Sequence, residues 1–372
     1  MIMAFTAEQE ELRRSLRRFL EDKASSAEVR RLMETDEGYD PTVWTQMAQQ
    51  LGLQGMAIPE EHGGAGFGQV ELMVVFEEMG RALLPAPYFS TVALATNALL
   101  LSGDDAAKKE LLPGMAEGAT IATFAVAEDS GRYDFDDVAT TATKAGDGGW
   151  TLDGSKAFVL DGHTADLILV AAQAPGGPSV FAVQADAAGL TRRAVQTLDM
   201  TRKQAELTLT GTPARLIGTE GAGRDLLRQT LDLAIVALAA EQVGGAQRCL
   251  DMSVDYAKLR VQFGRPIGSF QAVKHKCADM LLEVESARSA AYYAGWAAAE
   301  GSDELPMVAA LAKAYCSDAY FHAAADNIQI HGGIGFTWEH DAHLYYRRAK
   351  SSELLFGDAV EHRERLAAAL LD

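Results

Sequence analysis

Between Gly223 and His331 the chain runs in three long, apolar, alanine-rich segments, at 225–259, 269–299 and 305–331. Runs of that length bury their apolar stripes by packing against one another, so they predict a helical bundle, with a shorter helix ending the chain. Downstream of the first break, Met280, Leu281, Val284 and Ala287 recur at helical spacing and mark one buried face.

The preceding residues have another texture. Ile121–Val126, Thr140–Thr143, Trp150–Leu152, Ala157–Leu160, Leu167–Ala171, Ser179–Val183, Gly189–Arg193 and Ala205–Leu209 are short strand-like runs separated by Gly and Asp turns. Regular short strands without intervening helices predict an antiparallel β-domain. The first 118 residues read as helical. Thr6 ahead of Glu8–Glu11 is a capped start, and Leu12, Leu16, Phe19 and Leu20 share a face. A helix at 70–83 carries Glu77, Glu78 and Arg81 on its polar side, after a glycine-dense loop from Gly55 to Gly66. The expected class is α+β: an N-terminal helical domain at 1–118, a middle antiparallel β-domain at 119–213 and a C-terminal four-helix bundle at 223–372.

A net charge of −19, from 33 basic and 52 acidic residues, argues against a nucleic-acid or anionic-membrane surface. Cys249, Cys277 and Cys316 are odd in number and lack metal-like spacing, which predicts buried thiols in a reducing compartment and no metal site. No apolar run approaches membrane-spanning length, and the N-terminus has no signal-like core, so the expected location is cytoplasmic.

The break after the first long segment concentrates chemistry. Tyr256–Met280 reads YAKLRVQFGRPIGSFQAVKHKCADM. Gly264 and Pro266 stop the helix, leaving Arg260, Gln262 and Phe263 on a short loop. A guanidinium, free backbone N–H groups and a ring suit a phosphate beside a flat heterocycle, although local spacing alone favours a plain helix–helix turn with a capping Arg. A second stretch, Asn327–Phe336, ends a helix in glycines, with Gln329, Gly332 and Gly333 where backbone can approach a ligand or simply cap the helix.

Together these motifs resemble the acyl-CoA dehydrogenase family. The resemblance rests on Tyr256–Ile267, Phe270-Gln271, His275, Ala278–Met280, Gln329–Phe336 and Arg347–Lys350. Leu51–Gly55, Pro59–Gly66 and Glu77–Arg81 join them in the same order over essentially the whole chain. It implies an FAD flavoprotein that takes a proton from Cα of an acyl-CoA and a hydride from Cβ, yielding a trans-2-enoyl-CoA. Electrons would pass to an electron-transfer flavoprotein. The implied assembly is a homotetramer or an α2β2 complex with a homologous subunit, with FAD across a subunit interface. Arg260, Gln262, Phe263, Gln329, Gly332 and Gly333 match residues that hold the pyrophosphate and adenosine part.

The chain departs from the family where the base belongs. The usual position, just before Gly357, is Phe356, and the minority position is Ala234. Glu241 lies two helical turns, about 10 Å, beyond Ala234. It is the candidate substitute for the base, and a structural ion pair is its competing role. Asp358 and Glu353 flank Phe356 but should point elsewhere. In the β-domain the flavin-bonding hydroxyl is missing at Ala127 and the next motif's donor is missing at Leu160, leaving Phe124, Val126 and Phe158 to pack on a ring or on the β-core. Two expectations follow: an active FAD-dependent dehydrogenase with a displaced base, or a non-catalytic subunit that completes the FAD site of a catalytic homologue. A flavin monooxygenase on the same fold has no positive feature in its favour.

Overall fold

The protein's structure, a computed structural model, describes residues 5–146 and 148–371. The first four residues of the predicted N-terminal domain, and with them the start of the segment read for a signal, lie outside that range. So do Asp147 of the β-domain and the last residue of the bundle. The chain divides into two compact units: Met1–Arg30, Gln69–Leu84 and Ile235–Asp372 make one, and Arg31–Gly68 with Pro85–Ala234 the other.

Helix α1 (Ala7–Lys23) begins as its sequence predicts. Thr6 Oγ1 accepts from Gln9 N at 3.2 Å, and Gln9 Oε1 accepts from Thr6 N at 2.9 Å, a reciprocal capping box. Of the predicted face, Leu16 and Leu20 are buried. Then come α2 (Ser26–Met33), α3 (Pro41–Gln49) and α4 (Gln69–Ala82). A π-helix at Phe89–Thr96 leads into α5 (Asn97–Leu101), and α6 (Asp105–Ala116) closes the helical stretch.

The β-rich middle of the chain forms a seven-stranded sheet within the second unit. Its strands are β1 (Ala122–Ala125), β2 (Thr141–Lys144), β3 (Trp150–Leu160), β4 (Leu167–Ala174), β5 (Gly177–Gln184), β6 (Leu190–Val195) and β7 (Gln204–Ile217). The sheet is not wholly antiparallel as expected, because β1 pairs parallel with β4, Ala122 opposite Leu167. The intervening strands provide a connection long enough to bring the chain back in the same direction. The two runs predicted at 150–152 and 157–160 are one strand, β3, with register shifts against β7 at Leu152/Gly154 and Lys156/Val159. The last strand runs past Pro213 to Ile217.

After α7 (Gly223–Leu259) a two-stranded hairpin, β8 (Val261–Gln262) and β9 (Arg265–Pro266), precedes α8 (Gln271–Glu300) and α9 (Leu305–His331). The predicted short final helix is two helices, α10 (Ala342–Leu354) and α11 (Ala359–Leu371), both packed on α9. Small residues set the spacing on α7. A Cβ on Gly244 would lie 1.8 Å from Glu77 O, and one on Gly80 would lie 2.0 Å from Glu241 O. Helices α4 and α7 therefore cross backbone to backbone. Glu77 and Glu78, expected on a polar outer face, are buried. Glu78 accepts from Arg17 at 2.6 and 2.8 Å, and Glu77 accepts from Arg13 and Tyr292 at 2.8 Å and from Arg288. Once α1 and α8 cover that face, each carboxylate needs a cation, and the arginines supply it.

Candidate functional site

The Arg260–Pro266 stretch is a β-hairpin. Val261 pairs with Pro266 and Gln262 with Arg265. Phe263 and Gly264 sit at the tip with φ of +54° and +78°, the signature of a tight turn with both central residues left-handed. The backbone is less free than the sequence implied, because Arg260 N donates to Tyr256 O and Ile267 N to Arg260 O, each at 2.8 Å. What the hairpin presents is side chains: Arg260 and Gln262 are exposed, and the Phe263 ring is 92% exposed. A ring held out to that extent, beside a guanidinium, is a surface built to be covered. Arg265, which sequence reasoning passed over, lies over the Phe270 ring at 4.2 Å.

The glycine cluster is rooted beside the hairpin. Tyr256, one turn before Arg260, stacks on His331 at 4.3 Å, and Ser253 Oγ donates to Asn327 Oδ1 at 3.0 Å. The structure thus brings together the two motifs that the sequence places about seventy residues apart. Gln329, Gly332 and Gly333 are exposed, and a Cβ on either glycine would meet nothing within 4 Å. Gly332 has φ +63° and ψ −139°, a conformation only glycine adopts readily. A guanidinium, two amides, an exposed ring and open glycine backbone are the donor set and clearance that a dinucleotide's pyrophosphate and adenosine require, so these residues fit FAD's ADP half.

The base positions look different. Ala234 is fully buried and Phe356 nearly so. Phe356 has φ +63° and Gly357 φ +96°, so the turn is left-handed at a bulky residue. Two buried side chains hold it. Lys313 Nζ donates to Glu353 O and Gly357 O at 2.9 Å and to Ser317 Oγ at 3.0 Å, and His362 Nε2 donates to Phe356 O at 2.9 Å. Burial pushes the Lys313 ammonium down to about 8 and the His362 imidazole down to about 4. Lys313 was missed in the sequence, although a lone cation among Ala309, Ala310, Ala312 and Ala314 was a signal.

Glu241 is 5% exposed, and its Oε1 accepts from Arg348 Nη1 at 2.9 Å. That ion pair accounts for a carboxylate in an apolar helix. Asp358 caps α11, accepting from the backbone N–H groups of Val360 and Glu361 at 2.9 Å, and Glu353 pairs with Lys350 at 3.0 Å.

On the β-sheet unit, Phe124, Val126, Ala127 and Leu160 are all buried, whereas Phe158 is 44% exposed. The bulge after Lys156 sets Phe158 at φ +56° and turns its ring out of the strand's alternation. Of the three apolar candidates for a ring contact, Phe158 is the one the structure leaves outside.

Models of the acyl-CoA dehydrogenase N-terminal, middle and C-terminal domains match residues 6–119, 123–211 and 221–371. The acyl-CoA dehydrogenase IpdE2 of Mycolicibacterium smegmatis is 37% identical over 361 residues, 97% of this chain and 98% of its own length. A solved structure described as a variant of the steroid ACAD Tcur3481-Tcur3483 superposes with a TM-score of 0.88 at 35% identity, covering 98% of both chains. The ChsE4-ChsE5 complex from Mycobacterium tuberculosis does so with 0.91 at 29% identity, covering 100% of this chain and 99% of that one. The chain belongs to the acyl-CoA dehydrogenase family. The function its relatives and structural neighbours support is that of an FAD-dependent acyl-CoA dehydrogenase, an oxidoreductase of lipid β-oxidation acting on CH–CH groups. Among the described residues no helix is long and apolar enough to cross a membrane, and no cluster of potential metal ligands occurs.

Proposed function

We propose that this chain is a subunit of an FAD-dependent acyl-CoA dehydrogenase and that the hairpin and glycine turn hold the ADP half of the cofactor. The observation that carries this reading is the exposed Phe263 ring beside Arg260, rooted against the Gly332–Gly333 turn through Tyr256 and His331. Arg260 offsets pyrophosphate charge, Gln262 and Gln329 donate hydrogen bonds, and Phe263 packs on the adenosine. Bound FAD supplies the acceptor for the hydride leaving Cβ of an acyl-CoA.

The assembly in this reading is a tetramer, formed with itself or with a homologous chain. Two of the structures it resembles are described by paired names, which supports the mixed form. The electron acceptor is an electron-transfer flavoprotein and the setting is cytoplasmic. Glu241 carries the ion pair to Arg348, and for it to take the Cα proton as well, that guanidinium would have to release it.

The test is to purify the full chain alone and together with any homologous chain encoded beside it, then measure FAD per chain, FAD affinity and dye reduction with acyl-CoA. Arg260→Ala should weaken FAD affinity by at least tenfold, the scale of a lost charge-assisted bond. Unchanged FAD affinity in Arg260→Ala would overturn the site assignment. Activity of the chain alone that survives Glu241→Gln would remove Glu241 as base. Activity seen only with the homologue would support the mixed assembly.

A further inference from the structure

Three rings meet behind the exposed glycine turn. Tyr256 and His340 both pack on His331, each with ring centroids 4.3 Å apart. Tyr256 belongs to the last turn of α7, His331 ends α9, and His340 stands just ahead of α10. The 332–339 segment, which carries Gly332 and Gly333, is therefore a loop closed at its base by the contact of His331 with His340. His340 has a second task. Its Nδ1 accepts from Ala342 N at 3.1 Å. Ala342 opens α10 and is fully buried, so His340 supplies the acceptor that the first N–H groups of a helix lack.

An imidazole does this only while it is neutral. A proton on Nδ1 turns the acceptor into a donor facing another donor, and the buried Ala342 N–H is left without a partner. The surroundings also oppose the charge. His340 faces His331 from α9, Arg30 from α2, and Asp341 and His343 from its own end of α10. Asp341 is the one anion among these, and it is already held: its Oδ1 accepts from Ser26 Oγ at 2.6 Å and from Arg30 at 2.8 and 3.2 Å. Arg30 also donates to Trp338 O, which ties α2 to the loop. The first turn of α10 carries no acidic residue, and the dipole of a helix opposes a cation at its N-terminus. Burial, reinforced by His331, holds the His340 ring below its ordinary value, with Asp341 pulling the other way. Burial likewise lowers His331, whose Nδ1 donates to Asn327 O at 2.8 Å.

We propose that His340 is a pH-sensitive cap for the ADP site. Neutral, it caps α10 and closes the loop on His331; protonated, it releases Ala342 N and the loop opens, so the chain loosens its hold on FAD in acid. This regulation rests on the reading that the hairpin and the glycine turn hold the ADP half. The closed form resists the proton, whereas the open form takes it near the ordinary imidazole value of about 6.5, so falling pH favours the open form. The Gly332–Gly333 backbone and, through Tyr256, the root of the Arg260 hairpin then lose a shared support together.

FAD affinity of the full chain, in whichever assembly retains the cofactor, is measured from about pH 8 to about pH 5.5, either side of the imidazole range. The pyrophosphate diester of FAD does not titrate there. Wild type is expected to lose about tenfold, the scale of one buried N–H without its acceptor. His340→Asn keeps an acceptor oxygen for Ala342 N and does not titrate, so it should flatten the profile to within about twofold. His340→Ala, with no acceptor at any pH, should bind weakly throughout. Amide exchange in the first turn of α10, corrected for its intrinsic pH dependence, reads the cap in the FAD-free protein. Protection there should fall with pH in wild type and hold in His340→Asn. Wild-type affinity that is constant across the range overturns the switch alone, as does a pH dependence that persists in both variants. No FAD binding at pH 8, or binding indifferent to Arg260→Ala, overturns the ADP-site reading and the switch with it.

Discussion

Arg348 Nη1 stands 2.9 Å from Glu241 Oε1, with both side chains almost completely removed from water. Neither charge can be left alone in that setting. Glu241→Gln keeps shape and an acceptor but removes the negative charge facing the buried guanidinium, so it should destabilise the fold by roughly 3 kcal/mol. The double variant Glu241→Leu, Arg348→Met should recover much of that loss. Urea midpoints of the single and double variants check this; additive losses would show that the two residues do not act as a pair.

The α4–α7 crossing makes a second prediction. Gly244→Ala puts a methyl group 1.8 Å from Glu77 O, and the obstacle is backbone, which cannot rotate away. The helices must separate, breaking the Glu77 contacts with Arg13 and Arg288. A loss of several kcal/mol is expected, at the upper end of single substitutions. Gly301→Ala, whose Cβ meets nothing within 4 Å, is the control for the usual left-handed strain of about 1 kcal/mol. Equal melting temperatures for the two variants would refute the close crossing.

Gly332 and Gly333 are neighbours with separable roles. Gly332→Ala is strained at φ +63°, and should cost on the order of 1–3 kcal/mol. Gly333 has no such conformation and open space for a methyl group, so Gly333→Ala should leave the FAD-free protein's melting temperature nearly unchanged. Both should lower FAD content if the cofactor approaches this backbone. Normal FAD in Gly333→Ala would place the cofactor elsewhere.

Acid should loosen the Phe356 turn through His362. Its folded value near 4 lies below the ordinary 6.5, so the folded protein keeps the ring neutral while the unfolded chain takes a proton. Stability is therefore lost as pH falls from 6.5 toward 4, by about 2 kcal/mol at pH 5 from this group. The unpartnered buried Nδ1, among the described residues, fits a ring neutral with its proton on Nε2. His362→Gln keeps an N–H for Phe356 O and should flatten that part of the melting-temperature profile. An unchanged slope between pH 7 and 5 would refute it.

Much of this was legible in the residue order. The capping box at Thr6 and the three long helices needed only local spacing, because helix ends and apolar stripes are set by residues within a few turns. The Arg260–Pro266 stretch and the Gly332–Gly333 turn read locally as a plain turn and a helix cap, and only their resemblance to the family's motifs marked them as a site. Lys156 left a trace that was overlooked: along β3 it follows Trp150 and Leu152 at even spacing, which puts it on the buried face.

The sequence by itself determined the order of helices, strands and helices, the family, and the absence of a carboxylate at positions 234 and 356. The tertiary structure alone decided what the isolated charges do. Glu77 and Glu78 looked solvated until α1 and α8 brought arginines over them, and Glu241, open between an ion pair and a displaced base, gained its ion partner when α10 delivered Arg348. Lys313 and Lys156 had no visible charge partner in the sequence, because, apart from Ser317 Oγ one turn on from Lys313, their acceptors are backbone carbonyls and a carboxylate from distant segments. A buried charge is defined by what crosses over it, and which segment crosses is settled by packing across many residues rather than by spacing along the chain.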